Sequence, residues 1–300
     1  MTIVAAVSAW AADAPKRGTP EAGAFRADSR LVVVPVTVVD RRGAIVNGLA
    51  SNAFTLAEDG APQPIRSFSE EDAPVSIGIV LDLSGSMQGV LGAAKESLRA
   101  LIHDANPGDQ VFLNGVSTRP RTYSSFEDGF EETMRRVEFE GAGGFTALID
   151  TVYGSLNELR AGVHPRKALA VISDGMDNHS RYTKEELMRQ AVESDAQIYT
   201  VAVVTALNPI QSPKPVMMTE GQRGRLFLEE LAARTGGLSF AVTGSADIAK
   251  AAAAIGQALR NQYTIGYAPS AEGGGKWHRI TVKVVGSGMK AYARAGYRAD

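Results

Sequence analysis

Val75-Ser76-Ile77-Gly78-Ile79-Val80-Leu81-Asp82-Leu83-Ser84-Gly85-Ser86-Met87 is the stretch whose reading decides the fold. From Val75 to Leu81 it is a nearly continuous apolar run of strand length, the pattern of a strand covered on both faces. The run stops at an acid, followed by two serines and a glycine. Val90 to His103 then repeats apolar residues at helical spacing until Pro107-Gly108 closes the unit. A buried strand, a polar turn at its carboxyl end and an amphipathic helix make one α/β unit.

The same alternation continues outward. Gln110 to Val116 reads as a strand, Phe126 to Val137 and Ala147 to Leu159 as helices, and Ala168 to Ser173 as a second buried strand. Lys184 to Glu193 is helical, Gln197 to Val204 a strand, Leu226 to Thr235 a helix stopped by Gly236-Gly237, Leu238 to Val242 a short strand, and Ala246 to Gln262 a last helix. Buried strands alternating with helices predict a doubly wound, mostly parallel sheet with helices on both faces. The flanks follow the β period instead. Leu31 to Val39, Phe54 to Gly60 and Ile65 to Phe68 precede the α/β centre, and Tyr263 to Tyr267, His278 to Val285 and Lys290 to Ala295 follow it. The two ends are expected to pair into one small antiparallel accessory sheet. The expected organisation is a leader remnant and linker over residues 1–28, accessory β segments over 29–73 and 263–300, and the α/β domain over 74–262.

Composition narrows the chemistry. The 300 residues hold 31 Lys plus Arg against 33 Asp plus Glu, a net charge of −2, which gives no support to a nucleic-acid partner. The sequence has no cysteine and four histidines, so thiolate zinc, iron–sulfur clusters and cysteine nucleophiles are excluded. Any resident metal is held mostly by oxygen, which points to Mg²⁺, with Mn²⁺ or Ca²⁺ as alternatives. Residues 1–13, MTIVAAVSAWAAD, resemble the end of a secretory leader without its basic start. A secreted, periplasmic or cell-envelope location is therefore expected. No stretch reaches the roughly 18 apolar residues of a membrane span.

The oxygen donors sit at strand ends. Asp82, Ser84 and Ser86 occupy alternating positions in one tight turn, a second buried strand ends in Ser173-Asp174-Gly175, and Gly143-Gly144-Phe145-Thr146 opens a helix between them. In a doubly wound sheet, ligands bind outside the carboxyl ends of the strands where the strand order reverses, and the Asp82 and Asp174 strands are the pair such a reversal places side by side. Two carboxylates and three hydroxyls suit octahedral oxygen coordination. Taken alone, the Asp-x-Ser-x-Ser turn reads equally well as an Asx turn with helix-capping hydroxyls.

Asp82-x-Ser84-x-Ser86, Thr146 and Asp174 together resemble the metal-ion-dependent adhesion site of the von Willebrand factor type A domain. The spans GGFTALID and SDGMDNHSRYT, with QYTIGYAP, HRITVKV and ARAGYR in the tail, resemble a bacterial subfamily of secreted proteins carrying that domain. The resemblance implies a Rossmann-like type A fold. It also implies metal ligation by Ser84, Ser86 and Thr146, participation of Asp82 and Asp174 directly or through water, and a last coordination position taken by a carboxylate of a protein partner. Gly85, Gly144, Phe145, Gly175, Asp177 and Asn178 then fall behind the ligands or on the rim. The long segment Thr205 to Gly224 leaves the carboxyl end of a strand on the same edge, and its Met217 and Met218 are expected to join the partner-binding rim. The expected function is non-enzymatic adhesion or assembly. The alternatives are a scaffold of an envelope complex with a structural metal, or a metal-dependent hydrolase. A phosphoaspartate hydrolase needs a second Asp two positions after its nucleophile, and that position here is Ser84.

Overall fold

The computed structural model describes residues 31–70, 72–103, 105–204, 218–269, 274–286 and 288–299. The leader-like segment and linker expected over residues 1–28 lie outside them, as do Met217 and most of the loop before it. The described residues open with four strands, β1 (Val32–Val39), β2 (Phe54–Glu58), β3 (Ala61–Gln63) and β4 (Ser67–Glu70), and then enter β5 (Val75–Asp82). After β5 come α1 (Leu91–His103), β6 (Gln110–Val116), β7 (Arg121–Ser124), α2 (Phe130–Glu138), α3 (Leu148–Leu159) and β8 (Arg166–Ser173). The α/β part closes with α4 (Lys184–Glu193), β9 (Gln197–Val203), α5 (Glu220–Thr235), β10 (Ser239–Val242) and α6 (Ser245–Arg260).

Six strands form the central sheet in the order β10-β9-β8-β5-β6-β7. All neighbours run parallel except β7, which pairs antiparallel with β6 at the edge. Every residue of β5 is buried, because both faces are covered. Ile77, Ile79 and Leu81 join the cluster made with Leu98 of α1 and Ile255 of α6, while Val80 on the other face joins Leu156 of α3, Leu187 of α4 and Leu231 of α5. Each such side chain contributes about 1.5–3 kcal/mol relative to its exposed state. The chain leaves β5 to β6 on one side and returns to β8 on the other, so the strand order reverses between β5 and β8.

The ends of the chain build two antiparallel sheets where one was expected. With β11 (Tyr263–Tyr267), β12 (Trp277–Val284), β13 (Lys290–Ala293) and β14 (Gly296–Arg298), the orders are β13-β1-β11-β4 and β14-β12-β2-β3. Both sheets mix strands from both ends. Alternating residues such as Val34, Val36, Leu56, Ile265 and Ile280 meet in one shared core, so the apolar face of each sheet is covered by the other. Inside it, Tyr267 Oη donates to Glu58 Oε2 at 2.6 Å and Tyr297 Oη reaches the same oxygen at 3.1 Å. The chain crosses between these sheets and the α/β centre just before β5 and just after α6. Arg166, at the start of β8, donates to Ala73 O at 2.7 Å and to Leu259 O at 2.5 Å, tying both crossings to one side chain.

Several boundaries differ from the periodic reading. Helix α2 starts at Phe130 because Ser125 N donates to Asp128 Oδ2 at 2.8 Å, a turn that holds Phe126 outside the helix and edge-on to Phe112. Helix α5 starts six residues before Leu226, at Glu220, behind a capping box in which Thr219 and Gln222 serve each other's backbone N–H.

Candidate metal centre

Asp82 is the last residue of β5 and is fully buried. Its Oδ1 accepts Ser84 N–H at 2.9 Å and its Oδ2 accepts the hydroxyl of Ser173 at 2.6 Å. The Asp82–Ser84 bond folds the chain back in an Asx turn, and Ser84 Oγ and Ser86 Oγ then lie 3.1 Å apart. Ser84 is buried, Ser86 is half-buried and Gly85 is exposed.

The parallel register pairs Leu81 with Ile172, so the next residues along, Asp82 and Ser173, end their strands together. Asp174 follows directly. Its Oδ1 accepts Met176 N–H at 3.0 Å, while its Oδ2 is buried without a hydrogen-bond partner. Burial pushes the Asp82 carboxyl above the usual carboxylate range. The hydrogen bonds from Ser173 and Ser84 oppose that, and the negative charge of Asp174 adds to it.

Thr146 is buried as well. Gly143 N donates to Leu83 O at 2.8 Å, which fixes the glycine loop to the Asp82 turn. On the other side Thr146 N donates to Asn178 Oδ1 at 2.9 Å, and Thr146 O accepts Asn178 N–H at 3.0 Å and His179 N–H at 3.1 Å. Asp177 Oδ1 accepts Ile149 N–H at 3.1 Å in the first turn of α3, and Ser180 Oγ accepts Asp150 N–H at 3.0 Å. Asp177 and Asn178 therefore bind the Asp174 loop to the start of α3 and the Thr146 loop, with both carboxylate and amide oxygens occupied by backbone donors. Gly144 adopts φ +82°, which lets the loop reverse before Phe145. Phe145 is 60% exposed and stacks on His179 with ring centroids 5.3 Å apart.

The head of α5 closes the far side. Gly175 has φ +76°, and a Cβ there would lie 2.3 Å from Gly224 O; a Cβ on Gly224 would lie 2.4 Å from Asp174 O. Two backbones touch where no side chain fits. Met218 lies two residues before α5 and is 55% exposed.

The five oxygen-bearing residues singled out in the sequence thus lie on three segments that hydrogen bonds stitch together at one sheet edge. Ser173 and Gly224 had no assigned role in the sequence reading. The signal for Ser173 was the parallel register that sets it beside Asp82; Gly224 carried none, because its contact is between remote backbones. Among the described residues, no group of three or more His, Cys, Asp or Glu side chains is placed to hold a metal ion. An ion at this edge would draw on hydroxyls for its remaining protein donors. The donor set fits a hard cation, and the unpartnered Asp174 Oδ2 is an acceptor for one.

Residues 77–176 match the family model of the von Willebrand factor type A domain, so the central part of the chain is a domain of that family. Such domains are commonly protein-interaction modules. The solved structures similar to this chain include BatB from Bacteroides thetaiotaomicron, at 21% identity and TM-score 0.47, covering 62% of this chain and 97% of that one. The von Willebrand factor domain of the type V pili tip protein Mfa5 from Porphyromonas gingivalis aligns at 13% identity and TM-score 0.50, covering 63% and 95%. Proximal thread matrix protein 1 from the mussel byssus, with zinc in its metal-ion-dependent adhesion site, aligns at 14% identity and TM-score 0.49, covering 67% and 49%. At these identities the likeness is one of fold. No functionally curated protein matches the sequence. No helix among the described residues is long and apolar enough to cross a membrane.

Proposed function

We propose that this protein is a non-enzymatic, divalent-cation-dependent binding module that takes hold of a carboxylate on a protein partner. Asp82, Ser84, Ser86, Thr146 and Asp174 would hold Mg²⁺, with Mn²⁺ or Ca²⁺ as substitutes. When bound, the ion supplies a positive charge and an open position that an acidic side chain of the partner fills.

The observation that carries this reading is the pair of buried acids at adjacent strand ends, one of them with an oxygen that no donor reaches. Buried carboxylates are costly unless paired with a charge or a metal, and among the described residues no Lys or Arg side chain is hydrogen-bonded to either. A hard cation relieves both. Catalysis has less to work with, because His179, the histidine of this loop, is stacked on the exposed Phe145. The exposed Phe145–His179 pair and Met218 would form an apolar rim around the carboxylate. The proposal includes a location outside the cytoplasm, secreted or in the cell envelope.

The test is capture of partners from envelope extracts with Mg²⁺ and with EDTA, using the natural protein and Asp82→Ala. Partners retained by the natural protein with Mg²⁺, and lost both in EDTA and with Asp82→Ala of unchanged circular dichroism, support the reading. Binding that survives both changes overturns it in favour of a scaffold.

A further inference from the structure

A second surface, lined by none of the proposed metal-holding residues, has its own chemistry. A groove of about 870 Å³ runs along α4 and α5 to the outer residues of β12 and β14. That volume is typical of a ligand site. Six cationic side chains line it against three acidic ones, on a chain whose net charge is −2. Two of the acids are engaged, Glu230 by Arg234 at 2.7 Å and Glu193 by Arg298 at 3.4 Å. The other four, Lys184, Arg189, Arg223 and Arg279, are exposed and share the lining with one further acid, Glu185, while Arg189 also lies in the field of Glu186 and Arg279 in that of Asp59. Glu186, one turn from Arg189, is held at the α4 cap by Thr183 N–H and hydroxyl. Lys184 lies over the Phe227 ring at 4.8 Å, an arrangement that leaves its charge available to a ligand.

The groove floor is apolar. Met188, Phe227 and Ile280 lie at its base, and Leu226 and Trp277 reach solvent at 37% and 43% exposure. Aliphatic and thioether surface favours apolar side chains over sugar hydroxyls. Four such cations on a net acidic protein are also too few for a nucleic-acid track. The ten residues of α4 span about 15 Å, the reach of roughly five residues of extended peptide.

We infer that this groove binds an acidic, amphipathic segment of a partner protein, with its carboxylates on Arg189, Arg223, Arg279 and Lys184 and its apolar side chains on the floor beside Trp277. The inference stands apart from the metal reading, and its test removes the metal.

The chain has two tryptophans, Trp10 and Trp277, so Trp10→Phe leaves an indole reporter in the groove alone. The full chain carrying that substitution is titrated in EDTA with an eight-residue peptide alternating Glu or Asp with Leu or Phe. The same peptide with Gln and Asn in place of the acids, and an oligogalacturonate, serve as controls. The expected result is a saturable change in Trp277 emission with the acidic peptide only, weakened about tenfold or more by Arg189→Glu with Arg223→Glu and weakened by salt. Both arginines are exposed, and among the described residues neither is in a salt bridge, so the double variant is expected to keep its unfolding midpoint. No saturable change, equal binding of the amide peptide, or binding of the oligogalacturonate in its place overturns the inference.

Discussion

Ser173 Oγ donates to Asp82 Oδ2 at 2.6 Å and accepts Gly175 N–H at 2.9 Å, so one hydroxyl joins the end of β5 to the turn that carries Asp174. A hydroxyl in this position orients one acidic side chain while it shapes the backbone that presents the other. Groups that orient metal ligands are worth about 10–100-fold in metal affinity. Ser173→Ala is therefore expected to weaken Mg²⁺ binding by about tenfold, measured by titration calorimetry, with the fold intact by circular dichroism. Unchanged affinity would remove Ser173 from the design of the site.

The contact between Gly175 and Gly224 makes a second expectation. A methyl group on Gly224 would sit 2.4 Å from Asp174 O, against backbone that has no rotamer to yield. Gly224→Ala is expected to cost about 1–3 kcal/mol in urea unfolding, the usual penalty of overpacking. It should also weaken Mg²⁺ binding, because the head of α5 can relax only by moving the Asp174 loop or itself. Gly221→Ala, three residues earlier with open space around it, is the control and should be neutral or slightly stabilising.

The parts of the fold that could be read in advance are those where local pattern and tertiary environment agree. The β5 run and α4 were legible because burial on two faces or one leaves an unmistakable spacing. Strands β7 and β14, of four and three residues, are too short to show a period. The early start of α5 was obscured because Gly221 and Gly224 sit in its first turns, where only the Thr219–Gln222 cap marks the boundary. Alternation in β1 showed which residues face inward but not their partners. Val34 lies opposite Ile265, across most of the chain, so the division into two sheets is a matter of long-range pairing. The site divides similarly. Asp82, Ser84, Ser86, Thr146 and Asp174 were legible from residue type and position at strand ends and loops, whereas Ser173 and Gly224 depend on register and on contact between remote segments.

Acid should loosen the accessory sheets before the central one. Asp59 turns the β2–β3 hairpin with φ +50°, and its carboxylate accepts Arg279 N–H at 2.8 Å and lies 2.8 Å from His278 Nδ1. Those contacts, the backbone bond first, hold its pKa below the usual carboxylate value. A depressed pKa contributes stability that is present above the unfolded value and is lost as pH falls through the folded one. The window is therefore below about pH 4. Hydrogen exchange at Arg279 N–H, corrected for the intrinsic pH dependence, is expected to lose protection there in the natural protein. In Asp59→Asn that step should be absent, since asparagine tolerates the same turn and does not titrate.

Arg166 couples the two halves of the structure. It is held by the carbonyls of Ala73 and Leu259 at 2.7 and 2.5 Å and by Gln262 Oε1 at 3.3 Å, and burial lowers its pKa. This guanidinium reaches both crossings between the accessory sheets and the α/β centre, beside the Arg260–Asp72 pair at 3.0 Å. Arg166→Met keeps an unbranched apolar stem but is shorter and leaves two partly buried carbonyls without a donor, at a cost of about 1–3 kcal/mol. The more telling effect is on cooperativity. With the shared donor gone, the accessory sheets and the central sheet should no longer unfold together, and calorimetry should show a broadened or divided transition. Arg166→Lys has a single ammonium in place of the fork and is expected to fall between the two. A single sharp transition in Arg166→Met, merely shifted to lower temperature, would mean that the β1–β11 and β2–β12 pairings hold the halves together without it.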